Sequence, residues 1–210
     1  ILADRKIGLP QIVVRPPRVQ GEEVVDASIE RKIEMMTDQI LAQIITSEMT
    51  TDDKIKAIYD FLIYEYLHVK LYDPGYRETH MDLSKRLDIP PLLSEDDVTT
   101  ILFTKPDLYG VANLLVYEEG VCTDFAEFFS YLLSRVGIES RVVNGYYLYS
   151  DGSTTGHTWN QVNVNGTWYW YDVDVEGTVF RNGDYTKPIY HFYKRDSEFW
   201  ATNHVWDDNF

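Results

Sequence analysis

His157-Thr158-Trp159-Asn160-Gln161-Val162-Asn163-Val164-Asn165-Gly166-Thr167-Trp168-Tyr169-Trp170-Tyr171-Asp172-Val173-Asp174 is the stretch on which the reading of the fold turns. Residues 158–164 and 167–175 are rich in β-branched and aromatic side chains and read with period two. Between them, Asn165-Gly166 is a strong signal for a two-residue type I′ turn. In such a turn Val164 pairs with Thr167, which sets every other cross-strand pair and predicts His157 opposite Asp174. Because side chains alternate, His157, Trp159, Gln161, Trp168, Trp170, Asp172 and Asp174 share one predicted face. Asp172 is then the diagonal neighbour of His157, within side-chain reach.

Working upstream, residues 141–148 also read as a strand. Before them Phe125, Phe128, Phe129, Leu132, Leu133 and Val136 form a helical stripe over 122–136, closed by Gly137. Cys122 therefore stands at a predicted helix N-terminus. Residues 111–117 predict a short helix that Gly120 breaks. Residues 71–109, with Pro74-Gly75, Pro90-Pro91 and Pro106, have no sustained period and exceed an ordinary connection, so they are expected to be mobile or to wall a cleft. Further back, Thr50 and Asp53 resemble a capping box ahead of Ile55, Ile58 and Leu62, in a helix ending near His68. Ile29, Ile33, Met36, Ile40 and Ile44 mark an amphipathic helix over 26–47. Residues 1–25, with Pro10, Pro16 and Pro17, read as an extended leader or linker, and 26–210 as a single domain. Residues 185–210 are aromatic-rich without a clear period. Helices come first and strands after, so the predicted class is α+β: N-terminal helices plus the Cys-bearing helix packed on an antiparallel sheet.

The 210 residues carry 19 Lys and Arg against 34 Asp and Glu, a net charge of −15, with 44% hydrophobic residues and one cysteine. A chain of this length buries about 70% of its unfolded surface, so a packed globular fold is expected. The charge argues against nucleic acid as a partner, because phosphate binding needs clustered Lys and Arg, and it repels an anionic membrane surface. No apolar run approaches the roughly 18 residues of a spanning helix, and membrane insertion is not expected. One cysteine excludes an internal disulfide and a multi-thiolate zinc site. A chain opening on Ile1 reads as a mature or excised part of a larger multidomain protein.

A thiol at a helix N-terminus meets unpaired N–H groups and the positive end of the macrodipole, which favour thiolate and can also receive an oxyanion. The competing reading of a lone cysteine is inert packing. The hairpin weighs against it. Cys122, His157 and a nearby aspartate are the parts of a thiol triad, in which histidine takes the thiol proton and later protonates the leaving group, while the carboxylate fixes the tautomer. A surface His-Asp pair is the plainer alternative and contributes little energetically. Asn113 and Gln161 are candidates for a second oxyanion donor. Trp159, Gln161 and Trp170 are candidates for substrate contact, with Trp168 beside them in an acyl channel, although such aromatics also serve as core. Asp172, Asp174 and Glu176 with His157 lack the Gly-centred loop of a calcium site, and neither metal nor cofactor is expected. His68, His80, His191 and His204 are scattered and read as surface or core residues. Asn165-Gly166-Thr167 fits a glycosylation acceptor, but the tight turn explains it better.

Gly120-Val121-Cys122-Thr123-Asp124-Phe125-Ala126, then Leu132-Leu133-Ser134-Arg135-Val136-Gly137-Ile138-Glu139-Ser140-Arg141-Val142-Val143-Asn144-Gly145, then His157-Thr158-Trp159-Asn160-Gln161-Val162 and Trp168-Tyr169-Trp170-Tyr171-Asp172 resemble, in order, the blocks of the transglutaminase-like domain. The close resemblance covers about 110–175, and the helix around 54–64 is similar to the helical lead-in of bacterial members. It implies a papain-like α+β fold with Cys122 as nucleophile, His157 as base and acid, and Asp172 as orienting carboxylate. Hairpin register alone places Asp174 opposite His157, whereas the family block points to Asp172, which is the expected acid. His204-Val205-Trp206-Asp207 resembles a closing element of bacterial relatives, with a structural role. The same resemblance implies a secreted or cell-surface location, with a cytoplasmic one still compatible.

The function expected is thiol acyl transfer on a carboxamide or peptide bond of a protein or peptide substrate. Its thioester is resolved by water, as in a protease or amidase, or by a lysine-type amine, as in a crosslinking enzyme. The acidic balance favours cationic acceptors or basic substrates. The alternative is a noncatalytic binding or structural module of a larger cell-surface protein, suggested by the fragment-like start, the Pro-bearing leader and the abundance of Tyr and Trp.

Overall fold

The computed structural model describes residues 23–68, 87–182 and 188–206, with side chains from Ser28 onward. Most of the predicted leader, His80, Asp207 and the Pro74-Gly75 stretch lie outside the described residues. The first helix, α1 (Glu23–Ile44), begins three residues before the expected boundary. Helix α2 (Thr51–Glu65) starts on the predicted capping box: Thr50 Oγ1 accepts the Asp53 N–H at 3.2 Å and Asp53 Oδ2 accepts the Thr50 N–H at 3.0 Å. It ends at Glu65 rather than near His68, because Leu67–His68 form β1, paired in parallel with β2 (Glu119–Gly120).

The proline-bearing region holds a helix that the sequence reading did not expect, α3 (Glu95–Thr104). Ser94 and Asp97 cap it reciprocally, in the same arrangement as Thr50 and Asp53. A single 3₁₀ turn, Pro106–Leu108, leads into α4 (Tyr109–Tyr117). Glu118, left-handed at φ 58°, ends α4, whereas Gly120 lies in β2. Helix α5 (Cys122–Arg135) closes in a Schellman motif on Gly137, with the Ile138 N–H on the Leu133 carbonyl and the Gly137 N–H on that of Ser134. Phe128, Phe129, Leu132 and Leu133 of α5 are fully buried in the main core, among residues from α1 to α4.

Strands β3 (Ser140–Leu148), β4 (Thr154–Val164), β5 (Thr167–Tyr171) and β6 (His204–Trp206) form an antiparallel sheet in the order β5-β4-β3-β6. Asn165 at φ 54° and Gly166 at φ 90° make the β4–β5 turn, and the pairing Val164 with Thr167 and Asn160 with Tyr171 is the predicted register. The prediction fails beyond Tyr171. The chain leaves the sheet and enters α6 (Val173–Asn182), so Asp174 is not opposite His157, whose cross-strand partner is Gly145 on β3. Local capping explains the switch: Asp172 Oδ1 accepts the Val175 N–H at 2.9 Å and the Asp172 carbonyl accepts the Glu176 N–H at 3.2 Å. Glu176 then anchors the helix by accepting the N–H groups of Tyr190 and Phe192, each at 2.7 Å.

One face of β4 meets α5. Thr158 Oγ1 lies 3.2 Å from Thr123 Oγ1, and the Asn160 side chain donates to the Ala126 carbonyl at 2.9 Å. The opposite face carries a second core of Val143, Trp159, Trp170, Phe192 and Trp200, the last from the short helix α7 (Ser197–Trp200). This is the predicted α+β arrangement of helices against an antiparallel sheet. Among the described residues, no helix is long and apolar enough to cross a membrane.

Candidate active site

Cys122 is the first residue of α5 and is half-buried. Its backbone is fixed from both sides. Asp124 Oδ2 reaches back to the Val121 N–H at 2.8 Å, the acidic half of a capping box, since Val121 has no side-chain acceptor to return. Asn113 Nδ2 donates to the same carboxylate oxygen at 3.2 Å and to the Glu119 carbonyl at 3.0 Å. Burial pushes the Asp124 carboxyl up to about 6, partly offset by the Val121 N–H.

His157 comes from β4 and Asp172 from the residue joining β5 to α6. His157 Nε2–H donates to Asp172 Oδ2 at 2.6 Å. That leaves Nδ1 as the nitrogen for the Cys122 sulfur, which lies within 4.8 Å of the imidazole. Burial pushes the His157 imidazole down, but the Asp172 carboxylate and the Cys122 sulfur outweigh it and hold the imidazolium well above the ordinary histidine range. Asp172 is 1% exposed. Burial alone raises such a carboxyl, yet His157 and then His204 hold it far below the usual range. The Asp172 main chain is pinned as well, its carbonyl by the Tyr59 hydroxyl at 2.8 Å and its N–H by the Phe192 carbonyl at 3.0 Å.

Asp174 enters the site by another route. From the first turn of α6 its Oδ2 lies 3.8 Å from His68 Nε2, while Oδ1 is buried with no hydrogen-bond partner among the described residues. Burial, reinforced by the charge of Asp172, pushes the Asp174 carboxyl up to about 7. His68 arrives through the β1–β2 pairing, which sets it against Gly120, two residues before Cys122.

Other sequence candidates fall elsewhere. Both side-chain N–H groups of Asn113 are engaged in holding the turn before Cys122, so it has no donor left for an oxyanion. Gln161 pairs with Arg141 and Trp170, four residues along the strand from His157 or about 13 Å. Trp159 and Trp170, 1% and 2% exposed, belong to the second core and have almost no surface to offer a substrate. Trp168 lies under the Arg141 guanidinium at 4.0 Å. Among the described residues, two donor sets have ligand atoms within 4.8 Å of one another: Cys122, His157 and Asp174, and His157, Asp172 and His204. The first has the sulfur, nitrogen and oxygen donors that suit zinc rather than calcium. Both use His157, which Asp172 already engages, and Glu176 has turned away to its two backbone N–H groups.

Residues 97–174 match the transglutaminase-like superfamily. That transglutaminase-like segment contains Cys122, His157, Asp172 and Asp174. Similar solved structures include a candidate cysteine protease from Cytophaga hutchinsonii, at 14% identity and TM-score 0.41, with 74% of this chain and 45% of that chain covered. A structure named as a TGase gives 14% identity and TM-score 0.40, over 95% of this chain and 39% of that one. An arylamine N-acetyltransferase C from Bacillus anthracis gives 13% and 0.36, over 70% of this chain and 48% of that one. The chain spans less than half the length of each of these three structures. No curated protein matches it.

Two histidines of the site lie outside the transglutaminase-like segment. His68 precedes it and His204 follows it; from sequence His68 reads as a scattered surface or core residue, and His204 as that or as part of a structural closing element. The usable signal for His204 was its place in the His-Val-Trp block. For His68 there was none, because a two-residue parallel pairing leaves no period.

Proposed function

We propose that the chain is a thiol acyl-transfer enzyme acting on a carboxamide or peptide carbonyl, with Cys122 as nucleophile, His157 as base and acid, and Asp172 as the carboxylate that orients the imidazole. The observation that carries this is the convergence of the Cys122 sulfur at a helix N-terminus, within 4.8 Å of the His157 ring, with the His157–Asp172 hydrogen bond behind it. His157 Nδ1 takes the thiol proton and the sulfur adds to the carbonyl carbon. The N–H groups at the start of α5, free of intrahelical partners, face the developing oxyanion. The imidazolium then returns its proton to the nitrogen as the C–N bond breaks, leaving a thioester and a free amine. Water or a second amine attacks the thioester, gives its proton to His157, and restores the thiol. Water yields hydrolysis; an amine yields a new amide.

Alkylation tests the premise. Cys122 is expected to react with iodoacetamide faster in the folded protein than after unfolding. Cys122→Ser is expected to abolish turnover of amide substrates, assayed with and without added amine. A folded protein whose thiol labels no faster than the unfolded chain, or a Ser variant with undiminished function, favours the noncatalytic module instead.

A further inference from the structure

His204 is 1% exposed, and its ring stacks on Trp200 with 4.0 Å between centroids and 15° between planes. Tyr147 and Trp159 stand edge-on to it. An apolar ring would fill that space, yet both imidazole nitrogens meet polar partners. Nε2 lies 3.3 Å from Asp172 Oδ2, and Nδ1 lies 2.7 Å from the Asn203 side-chain amide at its oxygen end.

Asp172 is held as a carboxylate, which only accepts, so the nitrogen facing it must carry a hydrogen; a lone pair there would repel it across a dry interior. Burial first, then the neighbouring His157 cation, push the His204 imidazole down, outweighing the Asp172 carboxylate and the Trp200 carbonyl that compete for its hydrogen, so the ring is neutral with one N–H. If Nε2 holds that hydrogen, Nδ1 is an acceptor, and a half-turn of the Asn203 amide presents Nδ2–H to it. Asp172 Oδ2 then receives N–H groups from two imidazoles, while Oδ1 receives the Val175 N–H. Three donors on one buried carboxylate fix its plane as well as its charge.

We propose that His204 is a positioning residue: its Nε2–H, donated to Asp172 Oδ2, holds the carboxylate in the plane from which it aims His157 at Cys122. The consequence for turnover rests on the thiol acyl-transfer reading above; the hydrogen bond itself does not.

Nitrogen-15 NMR of histidine-labelled protein reads the tautomer directly. His204 is expected to show a protonated Nε2 and a bare Nδ1 near neutral pH, and a bare Nε2 overturns the proposal without any variant having to fold. Two substitutions then separate hydrogen bonding from packing. His204→Phe keeps a ring to stack on Trp200 and removes the donor; His204→Gln gives up the ring and keeps an N–H at about the reach of Nε2. The Phe variant is expected to lose or shift the downfield proton bridging His157 and Asp172 and to slow iodoacetamide alkylation about tenfold, the scale of one hydrogen bond to a charged group, with Gln restoring both. If Phe matches the parent and Gln does not, the ring is only filler and the proposal fails. Absence of turnover on every amide substrate, with the tautomer as expected, counts against the enzyme reading and leaves the His204 contact standing.

Discussion

Asp172 and Asp174 are the same residue type two positions apart, and their surroundings drive them in opposite directions. Two imidazoles hold Asp172 anionic, whereas burial and the Asp172 charge push Asp174 up to about 7. For Asp174 the linkage to stability has a definite sign. Between about 3.9, the unfolded value, and about 7, the folded state keeps a proton that the unfolded chain releases, so stability falls as pH rises and levels off above that window. Asp174→Asn removes this slope. Parent and variant are expected to have similar stability in denaturant melts at pH 4, with the variant ahead at pH 7.5 by up to about 4 kcal/mol, at 1.36 kcal/mol per pH unit. A difference that does not grow between those two pH values sinks the assignment.

At the scale of elements, the site depends on how closely β6 approaches β3. Gly145 makes that possible: a Cβ there would collide with the Val205 carbonyl and come within 2.6 Å of the tip of the Trp159 ring. It is also the cross-strand partner of His157 on one side and of Trp206 on the other. Gly145→Ala is therefore expected to push β6 outward, cost about 1–3 kcal/mol by overpacking, and withdraw His204 from Asp172. A thermal melt reads the first effect and the His204 nitrogen shifts the second. An alanine variant with parental values of both excludes the close approach. The opposite edge of the sheet shows a different control. Turn chemistry sets the β4–β5 register, but Asp172 ends β5 by capping α6, and that decides which aspartate His157 meets.

At the scale of the molecule, the transglutaminase-like segment 97–174 is not a self-sufficient core. Ile55, Ile58, Tyr59 and Leu62 of α2 are fully buried in the main core, and Tyr59 supports the carbonyls of Asp172 and Phe192. Trp200 and His204 close the other face from beyond the segment. A fragment of residues 97–174 is expected to unfold without a cooperative transition by circular dichroism, while 23–206 melts as a unit. A cooperative melt of the short fragment contradicts this account.

Much of the site was legible because its signals are local. The Asn165-Gly166 turn, the capping box at Thr50, the Gly137 stop and the stripe ending α5 each act between residues a few positions apart, where dihedral preference and period decide. They were enough to put Cys122 at a helix start and His157 on the hairpin. Helix α6 was missed because Val173 and Val175 continue a strand-like alternation, and Asp172 overrides it through a cap and through Glu176 binding the chain at Tyr190 and Phe192. Asp172 over Asp174 at His157 was the choice the family resemblance named, and the local cap of Asp172 on α6 explains it; the second imidazole on Asp172 and the placing of His68 beside Asp174 were decided by tertiary structure alone. Those two contacts join residues 32 and more than 100 positions apart, and no local preference or periodicity acts over such distances.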